Sequence, residues 1–124
     1  GRFIRNFFHD TVMPSLFPIM VDSTSPFPFL KDKSGYLIIK LGRNDNSKKN
    51  KYAILEVPTH SISRFVVLPK EKEKKIIIML DDVIRYFLKD VFKNCIFDYI
   101  CITAVSALHR MAKTMCFIQQ NKKI

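Results

Sequence analysis

Ser63-Arg64-Phe65-Val66-Val67-Leu68-Pro69, a charged bridge from Lys70 to Lys75, and then Ile76-Ile77-Ile78-Met79-Leu80-Asp81-Asp82 form the stretch that decides the fold. Phe65 to Leu68 and Ile76 to Met79 are short aromatic and β-branched runs of the length of buried strands. The bridge is almost wholly charged and reads as a solvated turn. After Met79 the period changes from two to nearly four. Val83, Phe87 and Val91 recur four apart, as do Ile84, Leu88 and Phe92, which makes one broad apolar helical face. Asp81 or Asp82 stands where an N-cap belongs, and its negative charge suits a helix start. The order is strand, loop, strand, helix, with the other segments packing around it.

Outward from this stretch, Gly35 breaks the chain before Tyr36-Leu37-Ile38-Ile39-Lys40-Leu41, a strand candidate. Gly42 to Lys51 is a polar turn, and Lys51-Tyr52-Ala53-Ile54-Leu55-Glu56-Val57 is a second strand stopped by Pro58. The two are close enough for an antiparallel hairpin. At the N-terminal end, Phe3 and Phe7, Ile4 and Phe8, and then Val12 trace a helical face that Pro14 and Pro18 end or kink. Asp22 to Pro28 is turn-like, and Phe27 and Phe29 around Pro28 read as rings capping one end of the core. Two strand pairs with helices before and after indicate an α+β class: an antiparallel or mixed sheet of about four strands with flanking helices.

The chain has 124 residues, one domain or part of one. A hydrophobic share of 48% is enough for a true core and argues against global disorder. No apolar run approaches the roughly 18–20 residues that span a bilayer. Gly1-Arg2-Phe3-Ile4-Arg5 does not resemble a secretory leader, and a start at Gly1 suggests a cut or processed piece. Cys95, Cys101 and Cys116 lack a C-x-x-C spacing and read as reduced thiols, at least some of them buried. Zinc would require His9, His60 or His109 to converge on them, and nothing in the spacing asks for it. The net charge of +10 favours polyanionic partners. Against this, much of the lysine falls in two turns, Lys48 to Lys51 and Lys70 to Lys75, where solvated charge commonly collects.

No phosphate-binding loop, dinucleotide fingerprint, H-E-x-x-H helix or nucleophile elbow is present. Asp81 and Asp82 have the composition of a metal-binding carboxylate pair. Adjacent helical residues point in different directions, however, so a helix start explains them better. His9 beside Phe7 and Phe8, and His60 after Pro58, read as ordinary histidines. No catalytic, cofactor-binding or metal-ligating residue is therefore assigned.

Several segments, taken in order, resemble a known family. Phe8, then Pro14-Ser15-Leu16-Phe17-Pro18-Ile19-Met20-Val21-Asp22 and Pro26-Phe27-Pro28-Phe29-Leu30, are followed by Tyr36-Leu37 and Tyr52-Ala53-Ile54-Leu55-Glu56-Val57-Pro58. Then come Ser63 to Pro69, Leu80 to Arg85, Leu88 to Phe92 and Ile96-Phe97-Asp98-Tyr99. Together these resemble the middle, or head, domain of bacterial polyphosphate kinase of the larger, phosphohistidine class, over about Arg2 to Tyr99. The resemblance implies an enzyme that reversibly moves the terminal phosphate of ATP onto polyphosphate, with ATP and magnesium as cofactors of the full-length enzyme. In that family the phosphorylated histidine, its partner histidine and the magnesium- and phosphate-binding arginines lie in two C-terminal domains. A nucleotide-contacting asparagine lies in an N-terminal one. His9, His60 and His109 match none of these.

The resemblance further implies head-domain scaffolding, contacts with the rest of the polypeptide and with a second subunit of a homodimer or higher assembly, and a part in framing the nucleotide tunnel. It also implies a cytoplasmic protein, or one peripheral to the inner membrane face. Polyphosphate would be guided by lysine and arginine along its path. Lys31, Lys33, Lys40, Arg43 and Arg64 are the candidates, and sequence alone does not choose among them. No specific nucleic-acid partner is implied. The alternative is a free-standing basic module that holds polyphosphate or RNA. RNA would call for exposed aromatic platforms, whereas Phe3, Phe7, Phe8, Phe65 and Phe87 read as core by periodicity.

Residues 1–99 are thus read as an incomplete head domain and residues 100–124 as a divergent basic tail. Ile100 to Ile124 contains no acidic residue and carries Arg110, Lys113, Lys122 and Lys123. The family continues instead with an acidic segment, which points to a frameshift or truncation in the tail. Ala104, Leu108, Met111, Met115 and Ile118 lie at helical spacing, and the tail is expected to be the least securely packed part of the chain.

Overall fold

The computed structural model describes residues 2–22, 30, 34–45, 50–69 and 75–105. In chain order the elements are helix α1 (Arg2–Phe7), a π-helical turn (Phe8–Val12), a 3-10 turn (Met13–Ser15), β1 (Ile19–Val21), β2 (Tyr36–Gly42), β3 (Lys51–Glu56), β4 (Phe65–Val67), β5 (Ile77–Met79), α2 (Leu80–Tyr86), α3 (Leu88–Val91) and β6 (Tyr99–Val105). They fall into two compact units. One comprises Gly1–Leu16 and Val57–Cys95, the other Phe17–Glu56 and Ile96–Ile124.

The first unit contains the N-terminal helix, the β4–β5 ribbon and α2–α3. The aromatic helix of the sequence reading exists, but only its first turns are α-helical. The Met13 N–H bonds to the Phe8 carbonyl as the π-turn closes, and the 3-10 turn then carries Pro14. A proline lacks the N–H that a continuing α-helix needs, so the chain leaves the helix here. Phe8 and Val12 are fully buried, and the Phe8 ring stacks on Phe87 at 4.8 Å. The amphipathic face after Met79 is present: Val83, Ile84, Phe87, Leu88 and Phe92 are buried together with Leu80, and Val91 is half-buried. It is broken at Phe87, whose backbone at φ −101° and ψ 16° separates α2 from α3.

Three expectations fail in this unit. Neither Asp81 nor Asp82 is the N-cap: Met79 holds that position, with no side-chain cap. The strand pairing of the ribbon does the capping. The Leu80 N–H donates to the Arg64 carbonyl at 2.8 Å, one step beyond the Phe65–Met79 pair. The aspartates act from the first turn, where carboxylates favour the helix N-terminus. Nor is the ribbon buried. Val66 is inside, but Phe65, Val67, Ile76 and Ile77 are exposed, because two paired strands cover one face only. Phe3, likewise read as core, is 45% exposed.

The second unit is a four-stranded antiparallel sheet in the order β1-β3-β2-β6. The β2–β3 hairpin lies in its middle, as the sequence indicated. Its neighbours are not β4 and β5, which pair separately, but β1 and β6. The α+β class with a four-stranded sheet therefore stands, with different strands at its edges. Both faces of the hairpin are buried. Leu37, Ile39, Leu41, Ala53 and Leu55 on one face are at most 1% exposed. On the other face Tyr36, Ile38, Tyr52 and Ile54 pack with Leu30 and Val105. Burial on both faces accounts for the continuous apolar run of β2 in place of strict alternation.

The expected break after Tyr99 falls on the first residue of β6, which pairs with β2 through Val105. Ala104, read as the start of a helical stripe, lies in this strand. The rest of that stripe, and with it the expectation about tail packing, lies outside the described residues. The same holds for Phe27, Phe29 and Cys116.

Replacing Ile39 by alanine is expected to lower the free energy of unfolding by about 2–5 kcal/mol, as deletions in a packed core do. Ile77→Ala, on the exposed ribbon face, is expected to change it by less than about 0.5 kcal/mol. Urea denaturation of the two variants measures both.

Candidate functional site

The polar groups that the sequence put forward divide between the two units. In the sheet unit they gather at the end where β2 stops and β6 starts. Gly42 pairs with Tyr99 across the ladder, and a Cβ built on Gly42 would run into the Tyr99 ring. Glycine is required here by close approach, since the ring occupies the space above the backbone. Lys40, two residues earlier on the same face, holds its Nζ 5.7 Å from the centre of that ring. This is a cation–π distance.

The chain then turns around Arg43. Its backbone N–H donates to Asn50 Oδ1 at 3.0 Å, and its Nη2 donates to Asp45 Oδ2 at 2.9 Å. Nε is buried and lies 3.5 Å from Asp98 Oδ2, within ion-pair range but outside hydrogen-bond geometry. Asp98 is fixed in turn, since its Oδ2 accepts the Asn44 N–H and its own N–H donates to the Gly42 carbonyl, both at 2.7 Å. Arg43 is thus shared between two carboxylates and ties the β2–β3 turn to the approach of β6. Its charge is compensated within the protein.

The other candidates are scattered. Arg64 is exposed at the start of the ribbon and makes no salt bridge with another described residue. Lys31 and Lys33 lie outside the described residues, as does His109. His9 places Nε2 3.4 Å from Asp90 Oδ2, with its ring edge-on to Phe8 and Phe87. His60 is exposed in the turn after Pro58. Asp81 is half-buried and Asp82 exposed. Of the thiols, Cys95 is half-buried and Cys101 exposed, so neither shows the burial expected of some of them. Among the described residues no three His, Cys, Asp or Glu side chains converge as a ligand set. The helical unit also has a cavity of about 490 Å³, largely apolar, with Arg5 and Asp82 on its walls and the Phe87 ring 5.6 Å from the Arg5 guanidinium.

The Gly42–Tyr99 pairing and the role of Asp98 were not read from sequence. Gly42 was read as the start of a turn, and Asp98-Tyr99 as the end of the matching region. The one available signal was a glycine closing an apolar run, which in a strand marks close approach of another group.

The chain's residues 1–106 match the family model "Polyphosphate kinase middle domain". It is 40% identical over 101 residues to the polyphosphate kinase of Vibrio parahaemolyticus, an alignment that takes in 79% of this chain and 14% of the relative. With the polyphosphate kinase of Escherichia coli it shares 36% identity over 108 residues, 85% of this chain and 15% of the relative. The crystal structure of polyphosphate kinase from Porphyromonas gingivalis superposes with a TM-score of 0.70 at 28% identity, covering 80% of this chain and 16% of that one. The chain belongs to the polyphosphate kinase family and corresponds to part of its middle domain. It spans 14–15% of the length of these curated relatives. The family match runs seven residues past Tyr99, to the residue after the last of β6. Among the described residues no helix is long and apolar enough to cross a membrane.

Gly42→Ala is expected to destabilise the chain by about 1–3 kcal/mol, the usual cost of overpacking. In a Tyr99→Ala background the same substitution is expected to cost under about 1 kcal/mol, since coupled neighbours are not additive. A double-mutant cycle in urea reads the difference.

Proposed function

We propose that this chain supplies head-domain scaffold and subunit contacts to an ATP:polyphosphate phosphotransferase. In this reading the enzyme transfers the terminal phosphate of ATP reversibly to polyphosphate in the cytoplasm, or at the inner membrane face. The observation that carries it is the match to the middle domain of proteins of which this chain covers about a seventh. Phosphoryl transfer depends on positioning a nucleophile and stabilising charge on the transferred group. The nucleophilic histidine, the magnesium and the nucleotide belong, on this reading, to the remainder of the enzyme. The chain by itself is inactive.

The chain's own part is mechanical and electrostatic. The buried β2–β3 hairpin and the Arg43–Asp98 tie hold the sheet unit together, with Lys40 carried on β2. Arg43, with two carboxylates around it, adds little to the field outside. Lys40 and Arg64 remain as candidates for a polyphosphate path. A second reading, a basic module for polyphosphate or RNA, draws on the net charge of +10 and on Tyr86, an aromatic that is 78% exposed.

Incubation of the chain with labelled ATP, magnesium and polyphosphate is expected to leave no acid-labile phosphate on the protein. Incorporated label would overturn the assignment of catalysis to the rest of the enzyme. Long-chain polyphosphate is expected to bind in preference to duplex DNA at moderate salt. Equal binding of both that disappears as salt rises would remove polyphosphate from the reading, because unspecific charge pairing is lost by counterion competition.

A further inference from the structure

We propose that the open face of the β4–β5 ribbon is a docking surface for an apolar polypeptide segment with acidic flanks. That segment is supplied by the part of polyphosphate kinase that lies outside these 124 residues. The proposal rests on reading the chain as a scaffold of that enzyme.

The pairing register sets Phe65 opposite Met79 and Val67 opposite Ile77, so these four side chains share one face of the ribbon. Val66 and Ile78 take the other face, and Val66 is buried. On the open face Phe65 is 57% exposed, Ile77 53% and Val67 48%. Contiguous apolar surface of this kind marks an interaction site more often than isolated exposed side chains do. Phe65 is the natural anchor, because a single large aromatic carries much of the energy of such contacts.

Three features choose the occupant. Arg64 just before β4 and Lys75 just before β5 are both basic and exposed. Two copies of the chain meeting through this face would bring like charges together, whereas acidic flanks on a partner would complement them. Among the described residues β4 and β5 each have one neighbour only, so each presents an outer edge. Unpaired strand edges are not tolerated in hydrocarbon, which disfavours a lipid surface, but they are readily met by the N–H and C=O groups of another polypeptide. Finally, the relatives of which this chain covers 14–15% hold most of their polypeptide elsewhere. A segment tethered in the same molecule or assembly has a high effective concentration at this face.

The test uses overlapping short peptides covering the rest of the Vibrio parahaemolyticus polyphosphate kinase, immobilised and probed with the fluorescently labelled 124-residue chain. Capture is expected on peptides with an apolar centre and acidic flanks. Phe65→Asp is expected to weaken it by about tenfold or more, as removal of an interface anchor does. Lys75→Glu should weaken it less, and Phe17→Asp, an exposed position in the other unit, should leave it unchanged. Far-UV circular dichroism and the melting temperature check that Phe65→Asp still folds; Ile77→Ser gives the same reading should it not. Absence of capture, or capture indifferent to both variants, would overturn the proposal. So would self-association in sedimentation, or binding to phosphatidylglycerol vesicles, that is lost with Phe65→Asp. Polyphosphate titration of the same variants separates the two readings. Capture without polyphosphate binding removes the path and leaves the docking face, and the converse result removes only the docking face.

Discussion

The sheet unit depends on the two-sided pairing of β2. This strand bonds to β3 along one edge and to β6 along the other, and its side chains are buried on both faces. A strand in that position has no solvent side on which polar residues could be placed, and Tyr36 to Leu41 is accordingly apolar except for Lys40. Lys40 is tolerated because its long stem runs along the sheet while its ammonium group meets the face of Tyr99. The partner on the β6 side comes from far along the chain: the Asn44 to Asp98 bond that closes this end links residues 54 apart. The loop-closing entropy of that pairing is offset only when Gly42, Arg43 and Asp98 come together at the strand ends.

What could be read from sequence follows from how local each signal is. The β2–β3 hairpin is carried by two apolar runs joined by a polar turn and the face of α2 by a four-residue repeat, and both are found. The N-terminal helix was read at its aromatic positions, but its shift into π and 3-10 turns before Pro14 leaves no mark in a four-residue repeat. β1 is three residues between Pro18 and Asp22, too short for any alternation to show. β6 lies past Tyr99, where the sequence reading ends the resemblance too early, although Ile100 and Ile102 alternate with Cys101 and Thr103 as an edge strand requires. The ribbon is the instructive case. Phe65-Val66-Val67 and Ile76-Ile77-Ile78 have the composition of buried strands, yet burial depends on what lies on each side, and composition does not report that. The same holds for Arg43. It looked like a surface cation, but its charge is balanced by Asp98, a residue of distant sequence position.

The excess positive charge is not concentrated in one built site among the described residues. Arg43 is engaged in structure, Lys40 is half-buried against an aromatic ring, and Arg64 sits beside an apolar ribbon. Under the function proposed above, this charge acts as a field rather than as a set of ligands.

The chain passes between its two units three times, after Leu16, after Glu56 and after Cys95. During synthesis from the N-terminus, β2 and β3 leave the ribosome early, while β6 emerges only after the whole of the helical unit. Until then one edge of β2 stands open on a nearly uncharged strand, the arrangement most prone to pairing with neighbouring nascent chains. Vectorial synthesis therefore leaves this edge open from the completion of β2 at Gly42 until β6 begins at Tyr99, and the ribosome-bound stage is where a chaperone would matter most.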